Sequence, residues 1–342
     1  MPFAKRGVPS RISTTAHLLA GLFLLATVGT SLAAGVPIRI DGSSTVYPIT
    51  DAAAAQFQKA RKNTVSITVG ISGTGGGFRK FCRGETDISN ASRPILADEM
   101  QACRAAGVDF VELPVAFDAL TVVVNPRNAF LKTLTVAQLR QLWEPDAQGR
   151  ITRWNQIDSA WPDTPIKLFS PGKDSGTFDY FTEAIVGKAK SSRSDVIMSE
   201  DDTVLVQGVA RDVNALGYFG YAYYVANRQK LKSVAIAPNP GKPAVTPSLV
   251  NVVNGTYQPL SRPIFIYVNA KSLVRPEVRE FTEFYLARGA EFANSAGYVP
   301  LPTNAYSMAL AHLKNLRMGT VFSGVSGVGI TIEELLKREA MP

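Results

Sequence analysis

Residues 38–62 of the chain read IRIDGSSTVYPITDAAAAQFQKARK, and this stretch contains one complete unit of an α/β fold. Residues 38–40 alternate apolar and charged side chains, a pattern that predicts a strand. Residues 41–47 form a turn rich in Gly, Ser and Thr, and the alanine-rich residues 48–62 predict a helix. A strand followed by a polar turn and a helix is typical of an α/β protein.

Two further units repeat this design along the chain. The alternating strand 65–69 is followed by the glycine-rich loop 70–78, GISGTGGGF, and then by a helix. The strand 166–169 leads into residues 170–177, SPGKDSGT, and a helix at 178–186. Apolar residues at 119–124 predict a strand of a buried parallel sheet. Other expected strands are 218–224 and 263–268, and other expected helices are 134–143, 276–286 and 303–316.

The three loops share a chemistry that suits an anion. The first turn of a helix carries unpaired backbone N–H groups and the positive end of the helix dipole. Glycine allows an anion to approach the backbone closely, and Ser and Thr hydroxyls add donors, so three converging loops could hold a tetrahedral oxyanion. An arginine would grip two of its oxygens, and Arg93 is our candidate. The alternative is that each loop is an ordinary helix N-cap.

Nucleotide-binding motifs do not fit the glycine-rich loop. A phosphate-binding loop of the Walker type requires Lys and Ser or Thr after its last glycine, whereas Gly75 is followed by Gly76 and Gly77. The dinucleotide-binding pattern requires glycine where Phe78 stands. The sequence therefore predicts no nucleotide and no other cofactor.

The N-terminal segment and the cysteines indicate an exported protein. Residues 1–33 have basic residues, an apolar run at about 18–28 and the small residues Ser31-Leu32-Ala33, as in a cleaved signal peptide. Removing three of the 36 basic residues leaves 33 against 28 acidic ones, a mild net charge of +5 without a nucleic-acid-type cluster. In an oxidising compartment Cys82 and Cys103 are expected to form a disulfide.

The scarcity of histidine argues against hydrolytic or metal chemistry. His17 lies in the predicted leader, which leaves His312 inside an apolar stretch that favours a structural role. With one histidine and a paired cysteine couple, the usual Ser-His, Cys-His and His-metal constellations are hard to assemble. We therefore expect no catalytic residue and no metal site.

The motifs in these loops, taken in order, resemble the substrate-binding proteins of phosphate ABC transporters, the PstS type. The resemblance extends over nearly the whole mature chain. The segments that carry it are Asp41-Gly42-Ser43-Ser44-Thr45-Val46-Tyr47-Pro48, Ser72 to Phe78, Thr86 to Arg93, Asp174-Ser175-Gly176-Thr177, Gly217 to Tyr223 and Gly297 to Pro302.

This resemblance implies a two-lobed type II periplasmic binding fold that closes on phosphate. It implies a first lobe at 34–117 and 265–342, a second lobe at 118–264, and hinge crossings near Leu120 and Phe265. It also implies a periplasmic monomer that serves the permease subunits of an ABC importer. The implied phosphate ligands are Ser44, Thr45, Ser72, Thr74, Gly75, Ser92, Arg93, Ser175, Gly176 and Thr177.

The sequence departs from the family at two positions. Some relatives have arginine where Pro171 stands, and some have an aspartate where Ser92 stands, which accepts the proton of phosphate and so rejects sulfate. The candidate proton acceptors in this chain are Asp87, Asp174 and Asp202. Three alternatives remain open at this point: another oxyanion such as sulfate, a phosphate sensor or scavenger without a permease, and a phosphatase with a serine nucleophile.

Overall fold

A computed structural model of the chain describes residues 36–325 and 327–341, so the predicted leader at 1–33 lies outside the described residues. In the described part the strands are β1 (Ile38–Gly42), β2 (Ile67–Val69), β3 (Ile88–Ala91), β4 (Phe110–Ala119), β5 (Thr121–Val124), β6 (Thr133–Thr135), β7 (Lys167–Pro171), β8 (Ile197–Ser199), β9 (Ala215–Phe219), β10 (Lys232–Ser233), β11 (Ala235–Ala237) and β12 (Ser261–Asn269). The helices are α1 (Tyr47–Ala60), α2 (Gly73–Cys82), α3 (Ala97–Ala105), α4 (Val136–Trp143), α5 (Gly176–Val186), α6 (Asp202–Arg211), α7 (Tyr221–Ala226), α8 (Leu249–Val253), α9 (Pro276–Ala287), α10 (Gly289–Ser295), α11 (Thr303–Lys314) and α12 (Ile332–Glu339).

Two mixed five-stranded sheets organise these elements, which confirms the predicted α/β class. The first sheet has the order β2-β1-β3-β12-β4, and the second has the order β10-β5-β9-β7-β8. We call the part of the molecule built on the first sheet lobe 1 and the part built on the second sheet lobe 2. The expected parallel setting of residues 119–124 is wrong, because β5 pairs antiparallel with both β9 and β10.

The chain passes between the two sheets twice, at neighbouring points. β4 ends at Ala119 in the first sheet and β5 begins at Thr121 in the second. The return lies before Ser261, where β12 enters the first sheet, rather than near Phe265 as expected. The amide of Leu120 donates to the carbonyl of Leu260 at 2.8 Å, so the two crossings are tied together.

The glycine-rich stretch is a helix where the sequence predicts a loop. α2 begins at Gly73, and its first turns contain four glycines. A Cβ on Gly77 would lie 2.6 Å from the Cα of Gly42, so only glycine lets α2 pack this closely on β1. Glycine is a poor helix former in isolation, but here the close packing of α2 on β1 stabilises the helix.

The aromatic stretch 218–224 also differs from the single strand that the sequence predicts. β9 ends at Phe219, and α7 begins at Tyr221 after Gly220. The amide of Tyr221 donates to a carboxylate oxygen of Asp118 at 2.9 Å, which anchors the first turn of α7 beside the chain crossing. Thr45 packs closely against Gly220, because a Cβ added to Gly220 would lie only 3.0 Å from the Cγ2 of Thr45.

The C-terminal segment packs on lobe 1 and also reaches lobe 2. Phe322 packs against Phe265 of β12, and the amide of Gly329 donates to the Tyr180 hydroxyl of α5 at 3.1 Å. His312 of α11 lies 3.2 Å from the carboxylate of Glu339 in α12 and within 2.8 Å of the Arg317 guanidinium. These contacts agree with the structural role expected for His312. None of the helices in the described residues has the length and apolarity that crossing a membrane would take.

The expected disulfide joins Cys82 at the end of α2 to Cys103 in α3, and both cysteines are buried. A loop of this length stabilises a folded chain by about 3 kcal/mol in the chain-entropy model. We therefore predict that reduction lowers the melting temperature by several degrees in calorimetry. The double variant Cys82→Ala/Cys103→Ala serves as the control, since reductant should leave its melting temperature unchanged. Equal melting of the wild type with and without reductant would contradict the prediction.

Candidate functional site

The predicted loops meet between the two sheets, at the N-terminal ends of α1, α2 and α5. α5 shows how the sequence builds such an end. Ser175 is its N-cap, and its hydroxyl accepts a hydrogen bond from the amide of Thr177 at 3.1 Å. Gly187 ends the helix in a left-handed conformation, with φ of 91°. The cap fixes the first turn of α5 so that Gly176 and Thr177 face lobe 1.

Buried hydroxyls from both lobes form the centre of the site. The hydroxyls of Thr45 and Thr177 lie 2.9 Å apart, and those of Thr74 and Ser92 lie 3.2 Å apart. A Cβ added to Gly176 would lie 2.5 Å from the Thr74 hydroxyl, so α5 approaches as closely as glycine permits. These five residues are all buried. The structure therefore brings together hydroxyls that the sequence predicted separately.

Arg262 supplies the guanidinium at this centre, and the sequence analysis missed it. Its Nη2 donates to the Thr177 hydroxyl at 2.7 Å, and its Nη1 donates to the Gly176 carbonyl at 3.2 Å. Nε and Nη2 also donate to one oxygen of Asp118, at 3.3 and 3.0 Å. Arg262 and Asp118 are at most 1% exposed. Burial raises the pKa of Asp118, and the charge of Arg262 opposes this shift.

Arg93 has different partners from those expected of an anion ligand. Its Nε donates to Asp179 at 2.8 Å. Its two terminal nitrogens donate to the two carboxylate oxygens of Glu99, each at 2.8 Å, and Nη1 also reaches the Pro94 carbonyl. Among the described residues these contacts include none of the hydroxyls at the centre, so the geometry gives no support to Arg93 as the residue that grips the anion.

Two more predicted ligands make contacts within the protein. The Ser72 hydroxyl donates to Asp41 at 2.5 Å. The amide of Gly75 donates to the Asp174 carbonyl across the lobes at 2.8 Å. Loop composition could not show that these groups would be used internally.

The three candidate proton acceptors lie in very different places. Asp87 accepts from the Arg39 amide, Ser272 and Arg275, away from the hydroxyl centre. Asp174 pairs with Arg79, which lowers the pKa of Asp174 through a hydrogen bond. Within the described residues neither carboxylate hydrogen-bonds to the hydroxyls of the centre.

Asp202 alone of the three joins the site. It lies at the start of α6, fully buried, and one oxygen accepts from the Ser44 hydroxyl at 3.3 Å. Among the described residues its other oxygen, Oδ1, has no hydrogen-bond partner. Burial raises the pKa of Asp202 to about 8, a shift that the Ser44 hydrogen bond opposes and the charge of Asp118 increases.

The groups that meet at the site are mainly hydrogen-bond donors, which suit an anion. Over residues 36–325 and 327–341, no three His, Cys, Asp or Glu side chains are placed to hold a metal ion together. One guanidinium, several hydroxyls and three helix ends supply donors, and a buried carboxyl lies beside them. Such an arrangement can bind an oxyanion of which one oxygen carries or accepts a proton.

Comparison with known proteins agrees with this geometry. Residues 26–288 match the family model of the PBP superfamily domain, the periplasmic binding protein type. The protein SphX of Synechocystis sp. is 51% identical over 97% of this chain and 98% of its own length. The phosphate-binding protein PstS of Staphylococcus haemolyticus is 39% identical over 80% of this chain and 84% of its own.

The chain belongs to the PstS-type family of phosphate-binding proteins. A putative phosphate ABC transporter substrate-binding protein of Clostridium perfringens, solved with bound phosphate, shares the PstS-type fold with a TM-score of 0.66. It is 25% identical and covers 78% of this chain and 100% of its own. The two-lobed fold implied by the sequence is therefore confirmed.

Proposed function

We propose that this chain binds inorganic phosphate in the periplasm and delivers it to the permease subunits of an ABC-type importer. The observation that carries the proposal is the buried Arg262 among hydroxyls from both lobes. An arginine can grip two oxygens of a tetrahedral anion, and short hydroxyls can contact the others. The related PstS and SphX proteins support phosphate as the ligand.

The proposed ligand set follows the contacts. Arg262 takes the role predicted for Arg93 because it contacts the Thr177 hydroxyl at the centre. Ser72 and Gly75 are left out because the Ser72 hydroxyl bonds to Asp41 and the Gly75 amide to Asp174, away from the hydroxyl centre. Asp202 is the proposed partner of the phosphate proton. The remaining proposed ligands are Ser44, Thr45, Thr74, Ser92, Ser175, Gly176 and Thr177.

The same proposal covers the boundary between the lobes, the cellular location of the protein and its oligomeric state. We place the hinge at the paired crossings Leu120 and Leu260, so that lobe 2 corresponds to about 121–260 rather than 118–264. The signal-like residues 1–33 and the disulfide support export to the periplasm. The proposal also includes a monomer, as the family resemblance implies, and a role without catalysis, since within the described residues the site places no histidine beside a serine.

The test is calorimetric titration of the mature protein with phosphate and then with sulfate at about pH 9, above the pKa of about 8 to which burial raises Asp202. We expect tight phosphate binding, a weaker response to sulfate, and no hydrolysis of a chromogenic phosphate ester. If sulfate binds as tightly as phosphate, the result would favour the alternative that the protein serves another oxyanion. Absence of phosphate binding would refute the proposal, and ester hydrolysis would refute the non-enzymatic role.

A further inference from the structure

Arg93 is held rigidly within lobe 1. It lies two residues after the end of β3, and its terminal nitrogens form a two-point contact with Glu99 of α3. Glu99 is itself fixed, because it accepts the amide of Leu96 at 2.9 Å. The Arg93 side chain is 1% exposed. Lobe 1 therefore presents one oriented donor, the Nε–H of Arg93, toward lobe 2.

Asp179 of lobe 2 receives this donor. It lies in the first turn of α5, its side chain is 2% exposed, and its Oδ2 lies 2.8 Å from the Arg93 Nε. Within the described residues its Oδ1 has no hydrogen-bond partner. Burial raises the pKa of Asp179, and the charge of Arg93 opposes the shift. A carboxylate buried in this way requires its cationic partner.

The pair lies directly behind the proposed phosphate centre. Ser92 precedes Arg93 in the chain, and Gly176 and Thr177 precede Asp179 in the same turn of α5. A Cβ on Gly176 would lie 2.7 Å from the Ser92 hydroxyl. The ion pair and the hydroxyl centre therefore join the same two segments, one from each lobe.

A second ion pair between the lobes differs in its surroundings. Arg79 of α2 contacts both oxygens of Asp174, at 2.8 and 2.6 Å. Their side chains are 57% and 38% exposed, so water and salt screen their attraction. Exposed pairs contribute little to stability, whereas loss of one partner from a buried pair is strongly destabilising.

We propose that Arg93 and Asp179 form an interlobe lock that holds the closed lobes together and slows ligand release without contacting the ligand. This inference rests on the proposed phosphate function. When the lobes open, Asp179 becomes hydrated and loses Arg93, while Arg93 keeps Glu99. The lock therefore acts on the closed complex and leaves the encounter between phosphate and the open cleft unchanged.

The test measures phosphate release from Asp179→Asn by loading the full mature chain with radiolabelled phosphate and chasing it with unlabelled phosphate. We expect the dissociation rate to rise by about tenfold or more, with the association rate changed by less than about twofold, since the lost contact exists only after closure. Asp212→Asn is the matched control. Asp212 pairs with Lys167 inside lobe 2, so both rates should stay at wild-type values.

A second variant separates the lock from a general loss of structure. Lysine at position 93 cannot contact Glu99 at two points and Asp179 at once. We expect Arg93→Lys to release phosphate faster, and addition of Asp179→Asn to raise the rate less than it does in the wild type. An unchanged dissociation rate in Asp179→Asn, or full additivity of the two substitutions, would overturn the lock alone. Failure of the wild type to bind phosphate would overturn the proposed function and the lock with it.

Discussion

Replacement of Arg262 by lysine is expected to weaken phosphate binding by about a hundredfold. Lysine keeps the positive charge beside Asp118, but it cannot hold the Thr177 hydroxyl, Asp118 and two phosphate oxygens with a single ammonium group. Each hydrogen bond to a charged group contributes about 1.5–3 kcal/mol, so loss of one or two reaches this factor. Calorimetric titration measures the affinity directly.

The choice of lysine keeps this experiment interpretable. Removal of all charge at position 262 would leave Asp118 buried without a partner and would threaten folding. Arg140→Lys is the control, because Arg140 is an exposed residue of α4 that pairs with Glu144 in lobe 2. Wild-type affinity in Arg262→Lys would remove Arg262 from the proposed ligand set and return attention to Arg93.

The discrimination between phosphate and sulfate is expected to increase with pH because of Asp202. Its pKa is raised to about 8 by burial, so below this pH the carboxyl is protonated and can donate to either anion. Above it the ionised carboxylate repels sulfate, whereas it accepts the proton that phosphate still carries. Sulfate affinity should fall about tenfold per pH unit above about pH 8, because one proton is linked to binding.

Titrations with sulfate between about pH 6 and about pH 9 test this expectation. Asp202→Asn removes the ionisable group, so its sulfate affinity should show no such fall and should exceed that of the wild type at alkaline pH. Asp201→Asn is the matched control, since Asp201 is the N-cap of α6 and its carboxylate accepts the Thr203 amide at an exposed position. A flat wild-type curve, or the same fall in Asp202→Asn, would exclude Asp202 as the group that senses the ligand proton.

The sequence predicted the parts of the site that are local. Ser44, Thr45 and the Ser175–Thr177 turn follow strands and precede helices, so each group lies at the carboxyl edge of its own sheet. The α/β class and the disulfide were predictable for the same reason, since periodicity, turn chemistry and cysteine count are properties of short segments. These predictions required no knowledge of how distant segments meet.

The roles of Arg262 and Arg93 could not be predicted, because they depend on contacts between distant segments. Arg262 stands between Ser261 and Pro263 at the start of an apolar strand, and its role arises only because β12 returns beside β4 and Asp118. Arg93 looked like a ligand, but its guanidinium is used by Glu99 and Asp179, neither of which is adjacent in the chain. An arginine that opens an otherwise apolar strand was the available signal for Arg262. This signal could be interpreted only once the pairing of β12 with β4 was known.

The two neighbouring chain crossings also constrain the order in which the protein can be assembled. All strands of the second sheet lie between Thr121 and Ser233, so this sheet can form as soon as that continuous segment is available. The first sheet needs β12 between β3 and β4, and its central pairing cannot exist before Ser261–Asn269 emerges. If the chain emerges from a membrane N-terminus first, the second sheet can therefore form before the first sheet is complete. β3 and β4 then remain without their shared neighbour β12 until residues 261–269 have emerged. Arg262, which joins the ligand centre to the crossing, is among the last groups to arrive, so the binding site is assembled only when the whole fold is nearly complete.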